Sequence, residues 1–97
     1  MRIIAKKILR EFWEKHSDSE QALKTWYKEV SKAIWNSPSE IKEKYVKASI
    51  LKNGRVVFNI CGNKYRLIVD VNYITKSIFI RFIGTHKEYD KVDANII

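Results

Sequence analysis

The chain has 97 residues, a formal net charge of +8, 45% apolar residues and a single cysteine, Cys61. A chain this short has interior for one core, so residues 1–97 are expected to form a single domain, and one cysteine excludes the internal disulfides of a small secreted fold. No run approaches the roughly 20 uncharged apolar residues of a membrane span, and the opening MRIIAKKILREFW is charged throughout, so a soluble, cytoplasmic protein with no membrane partner is expected.

Residues 1–4, MRII, read as an edge strand or as the first turn of the helix that follows. Ile4, Ile8 and Phe12, with Leu9, Trp13 and His16, recur at steps of three and four and predict an amphipathic helix ending near His16. Ser17 and Glu20 fit a capping box, which opens a second helix with the stripe Leu23, Trp26, Tyr27, Val30, Ala33 and Ile34. The short link between the two requires an antiparallel hairpin. Pro38, preceded by Ser37 and followed by Glu40, starts a further helical turn reaching about Lys44.

From there the period becomes two. Ala48–Lys52 and Arg55–Ile60 flank Asn53-Gly54, the dipeptide suited to a two-residue hairpin turn. After a reversal at residues 61–64, Tyr65, Leu67, Val69, Val71 and Tyr73 face one side and Arg66, Ile68, Asp70 and Asn72 the other. A turn at ITKS leads to a last strand, with Ile78, Ile80 and Phe82 on one face and Phe79, Arg81 and Ile83 on the other. The expected fold is α+β: an N-terminal helical hairpin on one face of a mainly antiparallel sheet of three or four strands, the opposite face free and carrying Arg66 and Arg81.

The charge is unevenly placed. Nine of the 19 lysines and arginines lie between Lys44 and Lys87, where Asp70 is the only acid, and the rest of the chain is balanced. A positive field concentrated on one part of a fold favours a polyanion such as nucleic acid. There is no phosphate-binding glycine loop, no paired Cys or Cys/His spacing for a metal, and no GxSxG elbow, so no metal and no cofactor are expected. Cys61 reads as an ordinary hairpin residue, and His16, on the apolar stripe, as structural.

His86 differs, because it follows Gly84-Thr85 at the exit of the last strand, with Lys87 next and Tyr89 three residues on. A histidine, a tyrosine and arginines on a basic sheet suit cleavage of an RNA phosphodiester. The ribose 2′-hydroxyl is already a nucleophile, so the protein need only align the attack, move two protons and neutralise the phosphorane. Taken singly, Arg66 fits a solvated or salt-bridged strand residue with Asp70 on the same face, Arg81 likewise, and Tyr89 a packing aromatic. Their convergence with His86 is what supports chemistry.

VFNICGNKYRLIVDV, residues 57–71, and IRFIGTHKEYDK, residues 80–91, together with the N-terminal MRII and lysine-rich helix, resemble the HigB toxins of type II toxin–antitoxin systems, in the RelE-like superfamily. The resemblance implies a RelE-like fold and a metal-independent mRNA interferase. Such an enzyme cuts messenger RNA in the ribosomal A site by 2′-hydroxyl attack and is held inactive by a helix-turn-helix, HigA-like antitoxin. It implies that Arg66 contacts the scissile phosphate, that His86 stands near the leaving group, and that Tyr89 stacks on a base. Lys64, Arg81 and Lys87, with Asn59 and Arg55, would position RNA. A non-catalytic basic RNA- or DNA-binding module, or a co-repressor acting with an antitoxin, uses the same charge without requiring the THKEYD cluster.

Overall fold

The computed structural model describes residues 1–97. The order along the chain is β1 (Arg2–Ile4), α1 (Lys6–Lys15), α2 (Glu20–Lys32), α3 (Pro38–Lys44), β2 (Ser49–Ile50), β3 (Arg55–Ile60), β4 (Tyr65–Asn72), β5 (Ser77–Thr85) and α4 (His86–Tyr89). The α+β arrangement expected from the periodicity forms, but with five strands in the order β1-β5-β4-β3-β2. The additional members are the ends of the sheet: β1 pairs in parallel with β5, and β2 adds two residues beside β3. MRII is therefore a strand.

The helices cover one face. Lys6 lies over the Tyr27 ring and Lys24 over Trp13, so α1 and α2 run antiparallel. Their apolar stripes meet Val56, Phe58 and Ile60 of β3, Leu67, Val69 and Val71 of β4, and Ile78 and Ile80 of β5. Burying a side chain such as Leu23, Ile41 or Leu67 completely stabilises by about 1.5–3 kcal/mol each. Edge-to-face contacts of Trp26 and Tyr45 with Phe58, at 5.4 and 5.1 Å, fix α2 and the end of α3 against β3. At the first hairpin Asn53 and Gly54 take φ of 57° and 78°, as the two-residue turn requires. Pro38 opens α3 at its first turn.

Four local expectations are corrected. Ser17 and Glu20 form no capping box: residues 17–19 make a 3-10 turn, the Ser19 hydroxyl donates to the His16 carbonyl at 2.7 Å, and Glu20 instead pairs with Lys24. The second stripe stops short of Ile34, which is exposed because α2 ends at Lys32 and Ala33 is extended; Trp35 is buried in its stead. In β5 a bulge opposite Ile68 and Val69 leaves Arg81 as the extra residue, since Ile68 pairs with Phe82 and Val69 with Ile80. A one-residue shift exchanges faces, so Phe82 leaves the Ile78–Ile80 face and Ile83 joins the helical core.

Finally, the opposite face is not free. Val57 and Ile68 are buried with Ala94, and Leu51, Phe82, Tyr89, Val92 and Ile97 pack around them. The segment after β5 folds back over the middle of the sheet because that row is apolar: Val57, Ile68 and Phe82 stand side by side.

The turn between α1 and α2 is tied to the β3–β4 hairpin through Asp18, which accepts from the Tyr65 hydroxyl at 2.6 Å and ion-pairs with Lys64. Those contacts, Lys64 first and then Tyr65, hold the Asp18 carboxyl below its ordinary pKa. A depressed carboxylate contributes stability above its unfolded pKa and loses it as the pH falls through the folded value. Asp18→Asn is accordingly expected to lower the urea midpoint near neutrality and to flatten its decline in acid. Equal acid-limb slopes for the two proteins would remove Asp18 as the source.

Candidate functional site

The face opposite the helices is built in three rows by the strand register. Arg55 lies across from Asp70, Val57 from Ile68 and then Phe82, and Asn59 from Arg66 and then Gly84. The apolar middle row is the one covered by the C-terminal segment, which divides the polar side chains into two groups.

At one end Asp70 collects two arginines. Its Oδ2 meets Arg55 Nη1 at 2.8 Å and Arg81 Nη2 at 3.3 Å, while Arg55 Nε and Nη2 also donate to the Ile97 carbonyl at 3.2 and 2.8 Å. The Arg55 side chain is only 14% exposed. It holds the C-terminal segment to the sheet. Asp70 is the partner that the sequence suggests for Arg66, two places along the same face of β4; the bulge brings Arg81 to it instead.

At the other end Arg66 is left without a carboxylate. Its Nη1 donates to the Asn63 carbonyl at 3.0 Å, and its guanidinium carbon lies 5.8 Å from the centroid of the Tyr89 ring. A cation held by one neutral carbonyl and an aromatic face keeps most of its donors for an anion. Asn59 stands directly across from it.

Gly84, the third member of this row, is buried beneath the Phe82 ring, and a Cβ there would come within 2.5 Å of Phe82 Cζ. Gly84→Ala should lower stability by about 1–3 kcal/mol, the usual cost of overpacking. An unchanged melting temperature would show that the ring swings aside freely.

Immediately after this row the chain enters α4. Here the capping box is complete: Thr85 Oγ1 accepts from the Glu88 amide at 3.1 Å, and Glu88 Oε1 accepts from the Thr85 amide at 2.9 Å. Those bonds, with the Thr85 backbone first, hold the Glu88 carboxyl below its ordinary pKa. The cap sets His86 as the first residue of the turn, and its amide donates to the Lys64 carbonyl at 3.3 Å. His86 Nδ1 is 3.4 Å from Asp90 Oδ2, one turn on, and the imidazole is half exposed.

The fold therefore brings Asn59, Arg66 and Tyr89 together at the start of β4, and His86 opens the adjoining turn, with its amide on the Lys64 carbonyl. Lys87 is exposed on the same turn. Arg55 and Arg81 lie with Asp70, four residues and about 13 Å further along β4 from Arg66. Lys64 is turned away to Asp18 on the helical side of the hairpin. His16 stacks on Phe12 at 4.3 Å and meets Tyr65 edge-on, and Cys61 donates to the Asp18 carbonyl at 3.1 Å; neither reaches the Arg66 row. The sequence assigns no separate role at the site to Gly84, Phe82 or Asp90. The capping signature Thr85-x-x-Glu88 was there to find, and with it the four-residue step from His86 to Asp90.

No helix is long and apolar enough to cross a membrane. Residues 19–92 match the family described as HigB_toxin, RelE-like toxic component of a toxin-antitoxin system. The protein named mRNA interferase HigB of Escherichia coli strain CFT073 is 29% identical over 94 residues, which cover 95% of this chain and 91% of that one. A protein of the same name from Shigella flexneri is 28% identical over 92 residues, or 93% and 88% of the two chains. Because the family match runs from the start of α2 through β2, β3, β4 and β5 to the turn that carries His86 and Tyr89, this chain belongs to the HigB family of RelE-like toxins of toxin–antitoxin systems.

Proposed function

We propose that the protein is an endoribonuclease of the mRNA interferase type, acting on messenger RNA held in the ribosomal A site and neutralised in the cytoplasm by a helix-turn-helix, HigA-like antitoxin. The observation that carries the reading is the Arg66 guanidinium, free of any carboxylate, set against the Tyr89 ring and beside the turn that begins at His86.

In this proposal the two Arg66 nitrogens not engaged with Asn63 hold the non-bridging oxygens of the scissile phosphate. There they offset the charge that grows as the 2′-oxygen attacks phosphorus. The 2′-hydroxyl gives up its proton to water as the P–O5′ bond breaks, leaving a 2′,3′-cyclic phosphate on one fragment and a 5′-hydroxyl on the other. His86 delivers the proton that the departing O5′ requires. The outer face of Tyr89 receives a base by stacking, which fixes the nucleotide relative to Arg66. Asn59 offers an amide to the sugar–phosphate from the neighbouring strand. Lys87 supplies positive charge on the approach, and Arg81 and Arg55 add to it from the far end of the face through the field they share with Asp70. A protein offering one imidazole and one unpaired arginine relies on the ribosome to bend the messenger into the attacking geometry.

The test is a cleavage assay on translating ribosomes and on the same messenger free in solution, reading the chemistry of the 3′ ends. Cyclic phosphate ends on ribosome-bound messenger alone are expected. Binding with no new ends identifies a non-catalytic module.

A further inference from the structure

The far corner of the second face, beyond Asp70 towards β1, stays open. The C-terminal segment that covers the middle row ends over β3, where Arg55 holds the Ile97 carbonyl. The row at Asp70 runs outward to Phe79 on β5 and Ile4 on β1. Phe79 is 40% exposed, Ile74 at the β4–β5 turn is 92% exposed, and neither belongs to an apolar cluster.

Arginines frame the exposed ring. The Arg81 guanidinium carbon lies 5.7 Å from the centroid of Phe79. Arg2, two residues before Ile4 and so on the same face of β1, is exposed and has no carboxylate partner. Asp70 is the one acid here, and its Oδ2 is already shared by Arg55 and Arg81. A cavity of about 450 Å³ opens beside the ring, with Gly54, Asn72, Ile74, Phe79 and Arg81 in its wall. Asn72 Oδ1 accepts from the Ile74 and Thr75 amides, both at 3.0 Å, which braces the turn and leaves the Asn72 amide nitrogen free to donate.

We infer that this corner is a second subsite for the messenger, in which a base of the strand whose phosphate Arg66 holds stacks on Phe79, while Arg81, Arg2 and Asn72 donate to its edge and to the adjoining phosphates. The inference rests on the proposed reading of Arg66 as the phosphate site. Single-stranded RNA fits better than a protein surface, because an apolar partner that covered Phe79 and Ile74 would strip water from Arg2 and Arg81 and return no charge, whereas a nucleotide brings a π-face and a phosphate together. A duplex is a poorer match, since its base faces are already stacked. The two sites lie about 13 Å apart along β4, room for roughly two nucleotides between the held phosphate and the stacked base. Gripping the strand at both ends of the face fixes its register, so that one particular phosphate reaches Arg66.

The test measures binding of the full-length toxin to ribosomes programmed with a messenger 2′-O-methylated through the A-site codon, which cannot be cut. An abasic nucleotide is placed in turn at each position in and around that codon, and each messenger is titrated with the wild type and with Phe79→Leu, which keeps the apolar bulk and removes the aromatic face. Phe79→Leu should weaken Kd for the intact messenger by at least about fivefold, and at one position the abasic substitution should weaken binding of the wild type by a similar factor and that of Phe79→Leu not at all. A Phe79→Leu protein that binds like the wild type overturns the inference. So does a loss that is the same on every abasic messenger, which would assign the stacked base to ribosomal RNA. A toxin that shows the coupled loss yet leaves the unmethylated messenger intact rejects the nuclease reading alone and still supports the subsite.

Discussion

Arg66→Ala is expected to lower messenger cleavage on ribosomes by at least about a hundredfold, and to abolish growth inhibition, without moving the unfolding midpoint. The size follows from the role: removing one preorganised donor from a developing oxyanion costs about 3–4 kcal/mol of transition-state stabilisation. The absence of a stability effect follows from the contacts. The side chain is partly exposed and its one hydrogen bond is to a hairpin carbonyl, an interaction worth about 1 kcal/mol or less at a surface.

Arg66→Lys keeps the charge and loses the two-pronged geometry, so it should recover binding to the ribosome but only a small part of the rate. Arg55→Ala gives the contrasting pattern. Arg55 is largely buried between Asp70 and the Ile97 carbonyl, and its loss should appear first in thermal stability. A fully active Arg66→Ala protein would end the phosphate-binding role.

The contrast between the two arginines also marks what could be read from the chain before its structure. Asn53-Gly54, Pro38 and the alternation through β4 are local signals, and each produced the element it promised. Which cation pairs with Asp70 is not local. It depends on a bulge in β5 that moves Arg81 into reach and puts Phe82 on the other face, and no residue type in IFIRFIG announces an extra residue.

The cover over the second face was equally hidden, because residues 92–97 are a short mixed segment whose burial depends on the row of Val57, Ile68 and Phe82 that the register assembles. Lys64 illustrates a third limit. Charge counting enrols it on the polyanion face, whereas the twist of one hairpin end delivers it to Asp18. The THKEYD cluster was legible as a polar turn at the exit of the last strand, and the capping box that holds that turn was written in the same six residues.

That cap makes His86 separable from the fold. The turn is held by Thr85 and Glu88, not by the imidazole, whose polar partner is the exposed carboxylate of Asp90. His86→Ala should therefore leave the melting temperature and ribosome binding unchanged while slowing single-turnover cleavage by about 10²- to 10⁴-fold, the range for loss of a positioned proton donor. Because leaving-group protonation and phosphorane stabilisation act on one transition state, Arg66→Ala/His86→Ala should be far less damaging than the product of the two single losses. Fully multiplicative effects would place the two side chains in separate steps. A His86→Ala protein that cuts at the normal rate would transfer the proton to the ribosome or the messenger itself, and would reduce this chain's contribution to holding the phosphate.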